Sequence, residues 1–119
     1  MADDVAVVCA PARATLHELA KLAAPVLRAA GAERAVAFGS FARGAADGFS
    51  DLDLAVVLPT ELPPIERGNL LNELFLALPV GLDLLIYTPD EFARGLERGF
   101  GVFAAIEREG VTVYERSKR

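Results

Sequence analysis

Between Ala35 and Leu58 the chain reads as two short apolar strands, the first ended abruptly by Gly39-Ser40 and the second opened by Asp51 and Asp53. Side chains alternate across a strand, so Asp51, Asp53, Ala55 and Val57 project from one face while Leu52, Leu54, Val56 and Leu58 take the other. Two carboxylates placed two residues apart on one pleated face can hold a divalent cation between them. A third acid, Asp83, interrupts another apolar strand candidate, Val80 to Tyr87, where a charge is costly without a partner.

The cost of gathering such acids narrows their use. Like charges about 4 Å apart repel by on the order of 4 kcal/mol at an effective dielectric near 20, so a bare triad would protonate or weaken the fold. A bound cation reverses that sign. Hard oxygen ligands suit Mg²⁺, and two such ions about 3.5 to 4 Å apart can activate an attacking oxygen while stabilising a leaving pyrophosphate. Gly39 lets backbone approach a phosphate closely, and Ser40 offers a hydroxyl and an amide at a helix start. Together they describe a triphosphate cradle.

The remaining chain supplies the frame for an α/β domain. Thr15 to Ala30 carries Leu16, Leu19, Leu22, Ala23, Val26 and Leu27 at helical spacing, stopped by Gly31, with Pro25 expected to kink or divide the helix. Val5 to Ala10 fits a short strand or a loose arm. Thr60 is placed to cap a helix with Pro63 and Pro64 in its first turn and Leu70, Leu71, Leu74, Phe75 and Leu78 as its stripe. Thr88-Pro89-Asp90-Glu91 caps another, interrupted near Gly99 and Gly101, with Phe92, Leu96, Phe100 and Phe103 mainly as core. Asp90 suits this helix start better than a metal. Val111 to Tyr114 forms a last strand, and Ser117 to Arg119 a basic tail. The expected architecture is a mixed sheet with helices mostly on one face and the acids at its open edge, in one domain spanning 1–119.

Composition excludes several classes of function. With 12 basic against 17 acidic residues and a net charge of -5, the surface repels nucleic acid phosphates, so direct binding of nucleic acid is disfavoured. No apolar run reaches the roughly 18 to 20 residues of a membrane span. Cys9 is the one cysteine and reads as a small hydrophobe, acids stand at Asp3 and Asp4 where a secretory signal carries bases, and a cytoplasmic protein is expected. The one histidine, His17, leaves no His-rich zinc site and reads as a helix surface residue.

Gly39-Ser40, ten residues, then Asp51-x-Asp53, with Ala42-Arg43-Gly44 inside and Ser50 before the first acid, resembles the minimal nucleotidyltransferases of the DNA polymerase beta superfamily. The resemblance extends through Asp83 to Glu107-Arg108-Glu109-Gly110-Val111. It implies transfer of a nucleoside monophosphate, usually AMP from ATP, to an acceptor hydroxyl with release of pyrophosphate. Asp51 and Asp53 match the ligands of both Mg²⁺ ions, Asp83 the third acid, which assists metal binding and deprotonates the acceptor. Gly39 and Ser40 match contacts to the β- and γ-phosphates. Arg43 would support the phosphate loop or the departing charge, the alternative being a surface arginine. Ser50 fits equally a cofactor contact and a turn residue.

Many such proteins are similar to the antitoxin of a toxin–antitoxin pair whose partner is a HEPN-domain ribonuclease, silenced by AMPylation of a tyrosine. The short chain implies that the acceptor brings its own recognition surface. Two alternatives stay open: a non-catalytic antitoxin that occludes its partner, and transfer to a small molecule such as an aminoglycoside. The acceptor, the base and a homo- or hetero-oligomeric state are not specified by the residues.

Overall fold

The protein is described by a computed structural model covering residues 14–117. The expected Val5 to Ala10 element, Cys9 and the last two tail residues lie outside the described residues. Helix α1 (Leu16–Ala30) starts at Thr15, whose hydroxyl accepts from the Glu18 amide at 3.1 Å while the Glu18 carboxylate accepts from the Thr15 amide at 2.8 Å. The exchange satisfies amides that a helix start leaves unpaired. Pro25, expected to kink or divide the helix, does not divide α1: it and Lys21, whose carbonyl loses its helical partner, both lie on the exposed side, where that carbonyl is open to solvent.

There follow β1 (Arg34–Phe38), a single turn α2 (Ser40–Arg43), β2 (Leu52–Val57), a 3-10 helix (Pro64–Leu71), α3 (Asn72–Ala77), β3 (Leu82–Tyr87), α4 (Pro89–Arg98), α5 (Val102–Glu109) and β4 (Val111–Glu115). The sheet is mixed, in the order β3-β2-β1-β4, with β2 and β3 parallel and the other pairs antiparallel. This is the α/β class and mixed sheet the sequence implied. The helices, however, cover both faces. Leu52, Leu54 and Val56 join Leu19, Ala23 and Leu27 of α1 and Leu74 of α3 in one core, whereas Val36, Phe38, Ala55 and Val57 pack with Phe92 of α4 and Ile106 of α5. Apolar residues on both faces of β2 demand two covers, and α4 and α5 provide the second.

Pro63 and Pro64 do not open a regular helix. The Thr60 hydroxyl accepts from the Leu62 amide at 3.1 Å in a local turn, and Gly68 and Asn69, both poor helix formers, follow in the 3-10 segment. The tighter pitch rotates the apolar stripe, so Leu71, Leu74 and Leu78 are buried while Leu70 and Phe75 face solvent. Arg67 turns inward there. Its Nε donates to the Leu62 carbonyl at 2.8 Å, and its Nη1 and Nη2 donate to the Glu91 carboxylate at 2.6 and 3.1 Å. Glu91 also completes the predicted cap of α4 by accepting from the Thr88 amide at 3.0 Å. The Arg67 guanidinium, first, and the Thr88 amide pull the Glu91 pKa from 4.5 down to about 2. Gly99 and Gly101 separate α4 from α5 as expected, but Phe100 between them is 78% exposed and is not core.

Candidate active site

The antiparallel register sets Phe38, the last residue of β1, beside Asp53, and the parallel register sets Asp83 of β3 on its other side. Asp53 and Asp83 therefore meet across adjacent strands on the face covered by α4 and α5, beyond the reach of the apolar residues that follow them. Burial raises the Asp53 pKa most; a hydrogen bond shared with the Asp83 carboxyl and the charges of Asp83 and Asp51 raise it further, and Arg43 acts in the opposite sense. The electrostatic tension expected of gathered acids is present. Three metal-type side chains do not converge into a closed cage among the described residues. The fold gathers Asp53 with Asp83, while Asp51 stands close enough to repel Asp53 through its charge but turns its carboxylate toward the chain before β3.

Two glycines explain where the carboxylates of Asp53, in β2, and of Asp51, just before it, can sit. A Cβ at Gly39 would overlap the Asp53 carboxylate, and a Cβ at Gly81 would overlap that of Asp51. Gly39 also has φ 77° and ψ -155°, a conformation reserved almost entirely to glycine. The sequence suggested that Gly39 is small so that a phosphate can approach. In the structure its missing side chain makes room for Asp53, and its amide is already committed: it donates to Oε2 of Glu109 at 2.8 Å.

Glu109 is the residue that sequence reasoning left without a role. It ends α5 with its side chain 12% exposed, and the same Oε2 accepts from Arg43 Nη1 at 3.1 Å. The Gly39 amide, foremost, and the Arg43 guanidinium hold its pKa below the usual carboxylate range. The carboxylate thereby fixes both the turn after β1 and the arginine of α2. One signal was available, because an acid in the last turn of a helix opposes the helix dipole and needs a compensating partner. Gly110 lets this end of α5 lie against β1, since a Cβ there would meet the Ile106 carbonyl and the Val36 side chain.

Ser40 begins α2 beside this turn, and Arg43, half exposed, points its guanidinium to Glu109. Ser50 is engaged elsewhere. Its hydroxyl accepts from the Asp47 amide at 2.9 Å and lies 3.2 Å from Asp47 Oδ1, which also accepts from the Phe49 amide at 2.9 Å. These bonds close the turn that feeds β2, so the structure places Ser50 in the turn. Asp90, as expected, lies in the first turn of α4.

The donor chemistry fits Mg²⁺: three hard carboxylates, one pair in mutual repulsion, with an arginine and a serine next to them on the adjoining turn. Such an arrangement can stabilise negative charge on a transferring phosphoryl group.

The sequence model of the family "Polymerase beta, Nucleotidyltransferase" matches residues 21–119. Among solved structures, a toxin–antitoxin complex with AMP-PNP is 22% identical with a TM-score of 0.58, over 82% of this chain and 73% of that one. A mutant of the toxin–antitoxin pair MntA-HpeT is 20% identical with a TM-score of 0.55, over 87% and 75%. A tri-AMPylated Shewanella oneidensis HEPN toxin in complex with its MNT antitoxin is 19% identical with a TM-score of 0.54, over 86% and 74%. Among curated proteins none matches the sequence significantly.

Proposed function

The chain belongs to the polymerase beta nucleotidyltransferase family, and from that premise we propose that it transfers AMP from ATP to a tyrosine hydroxyl of a HEPN toxin, acting as its antitoxin. The observation that carries this reading is the meeting of Asp53 and Asp83 across β2 and β3, with Asp51 nearby and Ser40 and Arg43 on the adjoining turn. Structures of similar fold contain AMP-PNP and an AMPylated HEPN toxin, which supports both the nucleotide and the kind of acceptor.

Asp51, Asp53 and Asp83 would hold Mg²⁺, two ions by the resemblance of the motif. When bound, the metal supplies charge neutralisation at the phosphates and lowers the pKa of a coordinated hydroxyl. The chain's own residues do the rest. Ser40 and Arg43 bind and orient the β- and γ-phosphates, and Arg43 stabilises the charge that develops on pyrophosphate as it departs. Glu109 keeps Arg43 and the Gly39 turn in place. Asp83, on the exposed edge strand, receives the proton of the acceptor hydroxyl. No helix among the described residues is long and apolar enough to cross a membrane.

Incubating the protein with labelled ATP, Mg²⁺ and the HEPN protein encoded beside it should label that protein on tyrosine. Absence of label across nucleotides and divalent metals would sink the proposal. Label on a small antibiotic in place of the protein would redirect it.

A further inference from the structure

We propose that the cavity at the outer edge of β3, between the 3-10 helix and α4, is a docking pocket for a partner protein. It takes one large apolar side chain, which the partner presents between carboxylates that pair with Arg94 and Arg98. This holds whether or not the chain transfers a nucleotide, because none of Ser40, Arg43, Asp51, Asp53 and Asp83 lines the cavity.

The cavity, of about 460 Å³, has an apolar inner wall made by Ile86, Tyr87 and Phe103, each half-buried. That wall is fixed in shape. The Phe103 ring lies 4.9 Å from the Tyr87 ring and rests on Gly95 of α4, where a Cβ would overlap it. Phe100 stands at the mouth, 78% exposed. Gly99 ends α4 and Gly101 precedes α5, both with positive φ, and the Phe100 carbonyl accepts from the Phe103 amide at 3.1 Å, so the link between the helices holds this ring out in solvent. An aromatic held in this way loses little conformational entropy when a partner covers it.

Charge states which partner fits. Arg94 and Arg98 line the cavity one turn apart on α4, both exposed, and neither makes an ion pair among the described residues. Like charges at that spacing weaken a helix slightly, and carboxylates set against them relieve the repulsion. Arg67 and Glu91 line the same cavity but are spent on each other. Two uncommitted positive charges therefore border an apolar pocket on a chain whose net charge is -5. A site for a small charged molecule sets its convergent polar groups among the apolar walls. Here the uncommitted charges stand outside them, which is the anatomy of an interface anchor, an apolar seat within a polar rim.

Amide chemical shifts of the whole chain, titrated with short peptides, test this without turnover. Acetyl-Glu-Glu-Phe-Glu-Glu-amide should shift Ile86, Tyr87, Gly95 and Phe100 saturably, and bind more weakly as salt screens the rim. Its analogue with alanine for phenylalanine, and the one with lysine for every glutamate, should leave these amides unmoved. Arg94→Gln with Arg98→Gln should weaken the acidic peptide about tenfold. Arg94→Glu with Arg98→Glu should bind the lysine peptide instead, a switch that no misfolded variant can produce. The proposal falls if the acidic peptide moves none of these amides, or if the lysine peptide binds wild type equally well. It falls too if both arginine variants hold the acidic peptide at wild-type strength. Phenyl phosphate binding there as tightly as the peptide would make the cavity a small-molecule site and overturn the docking role.

Discussion

Alanine at Gly81 should disable the site while barely touching stability, and alanine at Gly44 should do the reverse. Gly81 does not have a positive φ, so an alanine there meets no backbone penalty. Its Cβ overlaps the Asp51 carboxylate, the tip of a side chain that can rotate away. The expected stability change is below about 1 kcal/mol, a surface-sized effect. The displaced carboxylate is a different matter, since a misplacement of about 1 Å among reacting groups can cost roughly a hundredfold in rate. Gly44 has φ 74° and no atom within 4 Å of an added Cβ. Alanine there costs about 1 kcal/mol of left-handed strain, which for a chain of this size lowers Tm by roughly 4 °C, and moves no carboxylate. Gly39 combines both faults: strain of about 1 to 3 kcal/mol together with expulsion of Asp53. The assays are a thermal melt and a transfer rate on the same preparations. The reasoning is refuted if Gly81→Ala transfers at the wild-type rate, or if Gly44→Ala loses as much activity as Gly39→Ala.

Other perturbations separate the remaining roles. Glu109→Gln keeps an acceptor for the Gly39 amide but loses the charge facing Arg43, so KM for ATP should rise less than in Glu109→Ala; equal losses would show that the amide contact is irrelevant. Asp51→Asn with Asp53→Asn should abolish transfer, and because Asp53 is held protonation-prone by burial and its acidic neighbours, the metal-free variant should melt no lower than wild type. If that double variant still protects cells from the partner, occlusion is sufficient for the antitoxin role. Glu91 titrates low in the folded protein, so its contribution is complete above its ordinary pKa of 4.5 and is lost as pH falls toward about 2. Melting curves across that window should flatten in Glu91→Gln, and an unchanged acid limb would contradict the Arg67 pairing.

The strand alternation from which Asp51 and Asp53 are expected on one face needs nothing beyond period two, but β2 begins only at Leu52 and the Asp51 carboxylate lies against Gly81; the cap at Thr88 needed only four residues. Asp83 was recognisable as a misplaced charge, but only the parallel register made it the neighbour of Asp53. Contacts between distant segments were the blind spot. Nothing local in Arg108-Glu109-Gly110 states that its carboxylate reaches the turn after β1, and nothing around Arg67 announces a partner on α4. Gly39 was understood as a glycine needed for close approach, but the group approaching is Asp53, a fact that depends on pairing between β1 and β2. The 3-10 segment escaped for another reason: the apolar spacing from Leu70 to Leu78 suits a helix, while Gly68 and Asn69 shift its phase just before.

The bond from the Gly39 amide to Glu109 joins positions 70 residues apart in sequence. During synthesis Asp51, Asp53 and Asp83 therefore emerge well before the carboxylate that steadies the turn after β1, and before β4, which flanks β1 on its other side. A nascent or truncated chain ending at α4 would carry Asp51, Asp53 and Asp83 yet lack the clamp on Arg43. On the proposed function, the capacity to hold a triphosphate is acquired only with α5, and a fragment ending at α4 that retains Asp51, Asp53 and Asp83 should still be unable to fix the turn after β1.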